Sequence, residues 1–352
     1  MSIFNRKRDE EDDDDPTSFE TSRGEGRIRD LKPENKRKRK EPQKPWGRPE
    51  RLLVLSVLLA TIFLSAFLGL FARDFKLPGL PRLSMPSFDF FEGETIVIKG
   101  NKQSEEKSKK ISEEFKNITK NLSGVYGLYV IRLNGEGAYG IFDKEKFEAA
   151  SLVKLPVLAT LYKEAEAGNI DLDTKYSLKN SDKITGSGSL SGKPAGTVLT
   201  YRDLARFMGK QSDNTAYGII KRILGDAKIN KEISDLGMTN TSLSDHSTSP
   251  YDTGIFFEKL YKNQIVKEKY KNEILDYLTD TIYENWLVAG IPEEIRVAHK
   301  YGRELHVVND AGVVFTKEPF ILVIMTKGVV EREADEFFPE LTKVIYDGET
   351  SK

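Results

Sequence analysis

From Leu52 to Ala72 the chain carries no charged residue, and most positions are Leu, Val, Ile, Phe or Ala. No polar face repeats along the run, so it lacks the amphipathic stripe of a helix laid on a globular core. At about 1.5 Å rise per residue, a helix here covers roughly the 30 Å hydrocarbon thickness of a bilayer. A membrane-spanning helix over residues 51–73 is therefore expected, with the lipid bilayer as its partner through residues 52–72. Charge sets the expected orientation. Lys36, Arg37, Lys38, Arg39, Lys40, Lys44, Arg48 and Arg51 precede the run, whereas only Arg73, Lys76 and Arg82 follow it closely. Basic residues stay on the cytoplasmic side. That predicts a single-pass plasma-membrane protein with a cytoplasmic N-terminus and everything after residue 73 outside. The charged leader is too long for a cleaved secretory signal, so the run reads as an uncleaved anchor.

Positions 9–15 are all acidic and Lys36 to Lys40 are all basic. Such segments bury too little apolar surface to offset the entropy of ordering, and residues 1–50 are expected to be a disordered tail. Residues 74–102 hold Pro78, Pro81 and Pro86 among scattered aromatics and read as a semi-extended stalk. With no cysteine in the chain, disulfides, thiolate metal sites and a cysteine nucleophile are excluded. A net charge of -1 offers no footing for a nucleic-acid partner. His246 and His306 are isolated, and neither a metal nor a cofactor is expected.

Globular patterning occupies residues 103–347. Lys107 to Leu122 is expected to be helical, with Ile111, Phe115 and Ile118 as its buried stripe. Val125 to Leu133 and Ala138 to Phe142 read as a hairpin turning at Asn134-Gly135. A long helix runs from Ser151 to about Ala167, stopped by Gly168. Thr200 with Asp203 reads as an N-cap opening a helix to about Gly209. Helices follow over Asn214 to Leu224, Asp226 to Leu236, Thr253 to Tyr261 and Lys267 to Thr281. Strands return at Arg296 to Lys300, Leu305 to Phe315 and Phe320 to Thr326, before a last helix from Glu331 to about Tyr346. Strands at both ends with helices between them predict an α+β domain whose antiparallel sheet joins the two ends.

Three short motifs stand in order within this domain: Ser151-Leu-Val-Lys154 at the head of an apolar helix, Ser212-Asp-Asn214, and Lys300-Tyr-Gly302. Each alone is weak. Ser104-Glu-Glu-Lys107 repeats the first in a charged stretch, and a Ser/Asp/Asn-rich turn between helices is common. As an ordered set, they resemble the motifs of the class A β-lactamases and penicillin-binding proteins. The likeness extends over residues 106 to 347. Phe147-Glu-Ala-Ala-Ser151-Leu-Val-Lys154-Leu-Pro-Val157 is similar to that family's nucleophile segment. Leu236-Gly-Met-Thr-Asn-Thr-Ser-Leu243 resembles its run before the omega loop. Ala289-Gly-Ile-Pro292 and Arg296-Val-Ala-His-Lys300 resemble the approach to the third motif. A β-lactamase/transpeptidase-like fold, antiparallel sheet plus helical region, is the implied architecture.

Physical chemistry supports the nucleophile independently. Ser151 in the first turn of a helix sits near the positive end of the macrodipole, which favours a developing alkoxide. Lys154, three residues on, shares its helix face. A desolvated lysine has a lowered pKa and can accept the serine proton. The resemblance implies further roles. Ser212 would relay a proton to the leaving nitrogen, and Asn214 would hold substrate and Lys154. Lys300, at the end of its strand, would face the substrate carboxylate, with Gly302 and Arg303 after it among the substrate-binding residues. Backbone N–H groups of Ser151 and Arg303 would form the oxyanion hole. Asp213 is expected to serve the turn, and His299 to be a packed strand residue.

Two departures shape the expected chemistry. Tyr301 replaces a small hydroxyl residue, and its ring is expected to crowd the pocket or reshape its specificity. Leu243-Ser-Asp-His-Ser-Thr-Ser-Pro250 is short and lacks the glutamate that deacylates the family's acyl-enzyme. Asp245 and His246 are the titratable residues left in that loop, and no spacing marks either as a substitute base. The expected function is thus a membrane-anchored serine hydrolase acylated at Ser151 by β-lactams or related amides, with slow deacylation. A D,D-peptidase acting on cell-wall peptide and a non-catalytic envelope-binding protein are the alternatives.

Overall fold

The computed structural model describes residues 47–71 and 102–351. The chain divides into two units, Met1–Pro86 and Ser87–Lys352. In the first, the uncharged run forms one helix, α1 (Arg48–Phe71). Every side chain described on it, up to Ser65, is exposed. Its hydroxyls turn back on the helix: Ser56 Oγ donates to Leu52 O at 2.6 Å and Thr61 Oγ1 to Val57 O at 2.9 Å. Among the described residues no helix is long and apolar enough to cross a membrane. The expected disorder of the tail before residue 47 and the expected stalk over 74–101 lie outside the described residues.

The second unit opens with α2 (Lys102–Thr119) and the hairpin β1 (Val125–Arg132) and β2 (Gly137–Ile141). It closes with β7 (Val297–Glu304), β8 (Val307–Val314), β9 (Phe320–Lys327) and α9 (Glu331–Thr350). These five strands form one antiparallel sheet in the order β2-β1-β9-β8-β7, so both ends of the unit meet in it. Between them run β3 (Phe147–Glu148), a 3-10 turn (Ala150–Val153), α3 (Lys154–Glu166) and the ribbon of β4 (Lys175–Ser177) with β5 (Val198–Thr200). Then come α4 (Tyr201–Lys210), α5 (Asn214–Leu224), α6 (Asp226–Asp235), β6 (Ser247–Thr248), α7 (Pro250–Tyr261) and α8 (Glu268–Tyr277).

Period-two alternation sends each strand's side chains to two cores. Leu128 and Val130 of β1 pack with Ile111 and Phe115 of α2 and with Phe338, Leu341 and Ile345 of α9. Tyr129 and Ile131 face the helical region, joining Leu155, Leu158, Leu161, Ile219, Ile220, Phe256 and Phe257. The helical region is anchored by its caps. Thr200 Oγ1 accepts from Asp203 N at 3.0 Å while the Asp203 carboxylate accepts from Thr200 N, the reciprocal pair read from the sequence. The last helix runs past Tyr346 because Glu349 in its final turn accepts from the buried Arg132 guanidinium at 2.8 and 2.9 Å. The second Ser-x-x-Lys lies on α2, where Lys107 Nζ donates to Glu349 O at 2.8 Å; it closes the end of α9.

Candidate active site

Ala150 has a left-handed backbone, φ 46°, and throws the chain from β3 into the 3-10 turn that carries Ser151. A non-glycine residue there costs roughly 1–3 kcal/mol and persists only where its surroundings over-determine it. Here they do. Gly302 on β7 lies directly against the turn: a Cβ at 302 would stand 2.8 Å from Ser151 N and 3.1 Å from Ala150 Cβ. Only glycine lets the edge strand approach the nucleophile this closely.

Lys154 opens α3 and is almost fully buried. Its Nζ reaches Ser151 Oγ at 2.9 Å, Ser212 O at 2.6 Å, Ser212 Oγ at 3.1 Å and Asn214 Oδ1 at 2.8 Å. The Tyr217 ring, one turn along α5 from Asn214, lies 5.8 Å from the same nitrogen. Burial lowers the Lys154 pKa from its usual value to about 8, against the opposing charges of Asp213 and Glu304. An ammonium has three donors for these four oxygens. In the neutral amine, the lone pair is free to accept the Ser151 proton.

Ser212 is buried and also left-handed, φ 52°. Asp213 fixes that turn: it caps α5 by accepting from Ala216 N at 2.9 Å and holds the preceding loop by accepting from Leu190 N at 2.8 Å. A Cβ at Gly188 would overlap the Asp213 carboxylate, so glycine is required there. Asp213 therefore serves the turn. Asn214 Nδ2 donates to Thr185 O at 3.0 Å, which leaves its Oδ1 aimed at Lys154.

Lys300 approaches from β7 and is fully buried, its Nζ donating to Ser212 Oγ at 2.8 Å and to Tyr301 O at 2.7 Å. Burial, reinforced by the charge of Lys154, pulls its pKa well below the usual lysine value. Ser212 Oγ thus accepts from both lysines, and its own O–H is the remaining donor.

Tyr301 and Arg303 flank Gly302 on β7. The Tyr301 ring lies beside the site's buried cation, its face 4.2 Å from Lys300 Nζ. It is also buried 5.4 Å from Tyr283, in the cluster that includes Trp286. The Tyr301 carbonyl accepts from the same lysine nitrogen. The Arg303 guanidinium is tied to Asp335 of α9 at 3.0 and 2.9 Å, beneath Trp286, so only its backbone borders Gly302.

The loop after α6 is a tight hairpin. Ser242 and Ser247 exchange backbone hydrogen bonds of 2.9 and 3.1 Å, and Ala149 N donates to His246 O at 2.7 Å. That carbonyl pins the segment two residues before the nucleophile. Asp245 is exposed, its carboxylate accepting from Ser244 Oγ at 3.2 Å, and His246 is exposed with φ 49°. Among the described residues neither side chain bonds Ser151 or Lys154.

Sequence reasoning missed what lies behind β7. His299 is fully buried: Nδ1 lies 2.8 Å from Asp310 Oδ1, and Nε2 lies 3.2 Å from Thr281 Oγ1 and 3.4 Å from Glu284 Oε1. Burial by itself would lower the imidazole pKa, but Asp310 and Glu284 override it and raise it to about 9. The polar pair Asn309-Asp310 inside an otherwise apolar strand was the available signal. The Glu304 charge felt at Lys154 was missed as well.

A serine whose proton acceptor is a buried lysine, with a second serine bridging to a second lysine on a sheet edge, defines a serine hydrolase of β-lactamase-like design. The family described as the beta-lactamase enzyme family matches residues 110–348, and the chain belongs to it. Curated relatives are distant. Beta-lactamase VEB-1 of Pseudomonas aeruginosa is 21% identical over 266 residues, 68% of this chain and 88% of the relative. A beta-lactamase of Proteus vulgaris is 24% identical over 233 residues, 61% of this chain and 77% of the relative. Among solved structures, the beta-lactamase of Sphaerobacter thermophilus DSM 20745 superposes with TM-score 0.65 at 23% identity, over 69% of this chain and 98% of that one. PBP-A superposes with TM-score 0.63 at 22% identity, over 68% and 96%. These structural likenesses establish the fold.

Proposed function

We propose that the chain is a membrane-anchored, extracytoplasmic serine hydrolase of the class A β-lactamase type, acylated on Ser151 by β-lactams or related amides and deacylated slowly. The observation that carries this reading is the buried Lys154 amine 2.9 Å from Ser151 Oγ, with its pKa lowered to about 8. Neutral Lys154 takes the Ser151 proton as Oγ bonds to the carbonyl carbon. The carbon–nitrogen bond then breaks, the leaving nitrogen takes the Ser212 proton, and Ser212 is reprotonated by the Lys154 ammonium 3.1 Å away. An arriving substrate carboxylate favours the charged form of Lys300, and that charge in turn helps keep Lys154 neutral. Backbone N–H groups at Ser151 and Arg303 would take the carbonyl oxygen.

The short 243–246 hairpin favours a second reading in the same chemistry, a D,D-peptidase acting on cell-wall peptide. Slow loss of a β-lactam adduct suits an enzyme whose own substrate is a peptide. A non-catalytic envelope-binding role has no use for the assembled Ser151–Lys154–Ser212 network. Intact mass spectrometry of the full chain with benzylpenicillin tests acylation: an adduct of the whole drug should appear and be absent in Ser151→Ala. No adduct at high drug concentration would overturn the proposal.

The anchor would be the uncharged run of residues 52–72, which extends beyond the residues of α1 whose side chains are described. The described hydroxyls of α1 are satisfied by its own carbonyls, as a hydrocarbon environment demands. The excess of basic residues before it supports an N-terminus in the cytoplasm. Protease added to spheroplasts should remove the C-terminal domain and spare an N-terminal tag; a protected domain would reverse the orientation.

A further inference from the structure

Glu304 is the last residue of β7, two beyond Gly302 and four beyond Lys300. Strand alternation places all three on one face. The direction of that face is known at two points: Lys300 reaches Ser212 Oγ, and a Cβ at Gly302 would run into Ser151 N. Glu304 therefore stands on the nucleophile's side of the strand, roughly 7 Å past Gly302 at about 3.3 Å per residue. Its side chain is exposed, and among the described residues no hydrogen bond or ion pair engages its carboxylate. Its charge is nevertheless felt at Lys154. The neighbouring cation cannot neutralise it, because the Arg303 guanidinium is held by Asp335 across the strand.

The order along β7 maps onto the order of a bound amide. Lys300 takes the carboxylate on the leaving-group side, Gly302 and Ser151 bracket the scissile carbonyl, and Glu304 comes next, on the acyl side. The groove is thus dipolar, cationic at one end and anionic roughly 13 Å further along the strand. We propose that Glu304 is a specificity-determining residue that selects substrates bearing a positively charged amine on the acyl side of the scissile amide. This rests on the acylation chemistry proposed above and names its substrate class. Exposure and the lack of any group holding it argue for recognition rather than for a base that positions a hydrolytic water.

The test uses three penicillins that share one nucleus and differ in the charge of the acyl substituent: ampicillin with an ammonium, benzylpenicillin with none, carbenicillin with a carboxylate. Second-order acylation constants of the full chain are read by intact-mass time courses at low ionic strength. Expected is ampicillin over benzylpenicillin over carbenicillin, each step about two- to fivefold, the range of a solvent-exposed ion pair. The spread should shrink at high salt. Glu304→Gln should flatten it, and Glu304→Lys should reverse it, with thermal midpoints near that of the unmodified chain. Equal constants for all three drugs would overturn the proposal while leaving Ser151 acylation standing. No adduct with any of them would instead remove the acylation reading and this proposal with it. If Glu304→Gln altered only the rate of adduct loss, Glu304 would be a hydrolytic group and the selectivity assignment would be wrong.

Discussion

Lys154 holds four oxygens at 2.6 to 3.1 Å, whereas the carboxylate of Asp245, on the loop pinned beside the same nucleophile segment, accepts only from its neighbour Ser244 among the described residues. The contrast separates the two halves of a serine hydrolase cycle. Acylation needs a base touching the serine and a proton donor for the leaving nitrogen, and both are buried and in place. Deacylation needs a base touching a water on the acyl carbonyl, and the loop meets the nucleophile segment through backbone, by the His246 carbonyl and the pairing of β6 with β3. Preorganised hydrogen bonds in a dry site act strongly, while an exposed carboxylate free to rotate contributes little.

The largest expected effect strikes the built half. Lys154→Ala removes the proton acceptor and should slow Ser151 acylation by about 10²–10⁴-fold, the usual contribution of a positioned base. Stopped-flow acylation measures it. A loss below tenfold would mean that another group deprotonates Ser151 and that the two halves are less different than their geometry. The complementary effect lies in the open half. With no base at the loop, deacylation should trail acylation by a comparable factor of about 10²–10⁴. Turnover of a chromogenic cephalosporin should show a burst near one equivalent and then a slow steady rate, and burst-free turnover would erase the contrast.

Behind β7 the comparison can be sharpened through stability. His299→Gln leaves the buried Asp310 carboxylate without its cation, and breaking such a pair costs about 3–5 kcal/mol. The imidazole is raised to about 9 in the folded chain from an ordinary value of 6.5. Its stabilisation is therefore fully present below pH 6.5 and lost as pH rises through 9. The gap in thermal midpoint between the two proteins should be widest near pH 6 and close above pH 9. A gap that does not vary with pH would show that His299 acts by packing alone.

Titration of the nucleophile's partner gives a smaller effect. With the Lys154 pKa at about 8, acylation should rise roughly tenfold per unit at low pH and level off above pH 8, as the neutral amine becomes the main form. Loss of charge on Lys300, whose pKa is also pulled down, should weaken carboxylate binding as pH rises and bend the profile down. A rate independent of pH from 6 to 9 would contradict a lysine base.

Local features of this site were legible because they are local. Ser151 and Lys154 meet by helix spacing, and Asp213 announces its role by standing one residue before a helix. What stayed hidden depends on register. His299 pairs across the strands with Gly312, and its contact with Asp310 is diagonal; no spacing in the chain encodes that. β7 runs four residues past the expected end at Lys300, because Gly302 is paired with Asn309 in the ladder. β3 and β6, two residues each, are too short to show a period. With the ring 5.4 Å from Tyr283 and 4.2 Å from Lys300 Nζ, Tyr301→Thr is expected both to loosen the aromatic cluster and to strip a ring face from Lys300.

The smallest expected effect decides whether the open half is truly empty. Asp245→Asn and His246→Ala remove the only titratable side chains of the 243–246 loop. Both are exposed, and neither bonds Ser151 or Lys154 among the described residues. The loop's grip on Ala149 uses the His246 carbonyl, which both substitutions keep. His246 has a left-handed backbone, φ 49°, which histidine adopts more readily than alanine, so His246→Ala carries a small backbone cost that shows in thermal stability rather than in chemistry. Steady-state rates after the burst should change less than about twofold, the scale of surface changes away from any special feature. A tenfold fall in the slow phase of either variant, with the burst unchanged, would identify that residue as the deacylating base, drawn into place only once the acyl group is bound. The hairpin would then belong to the catalytic machinery, and the asymmetry between the two halves would hold only for the empty site.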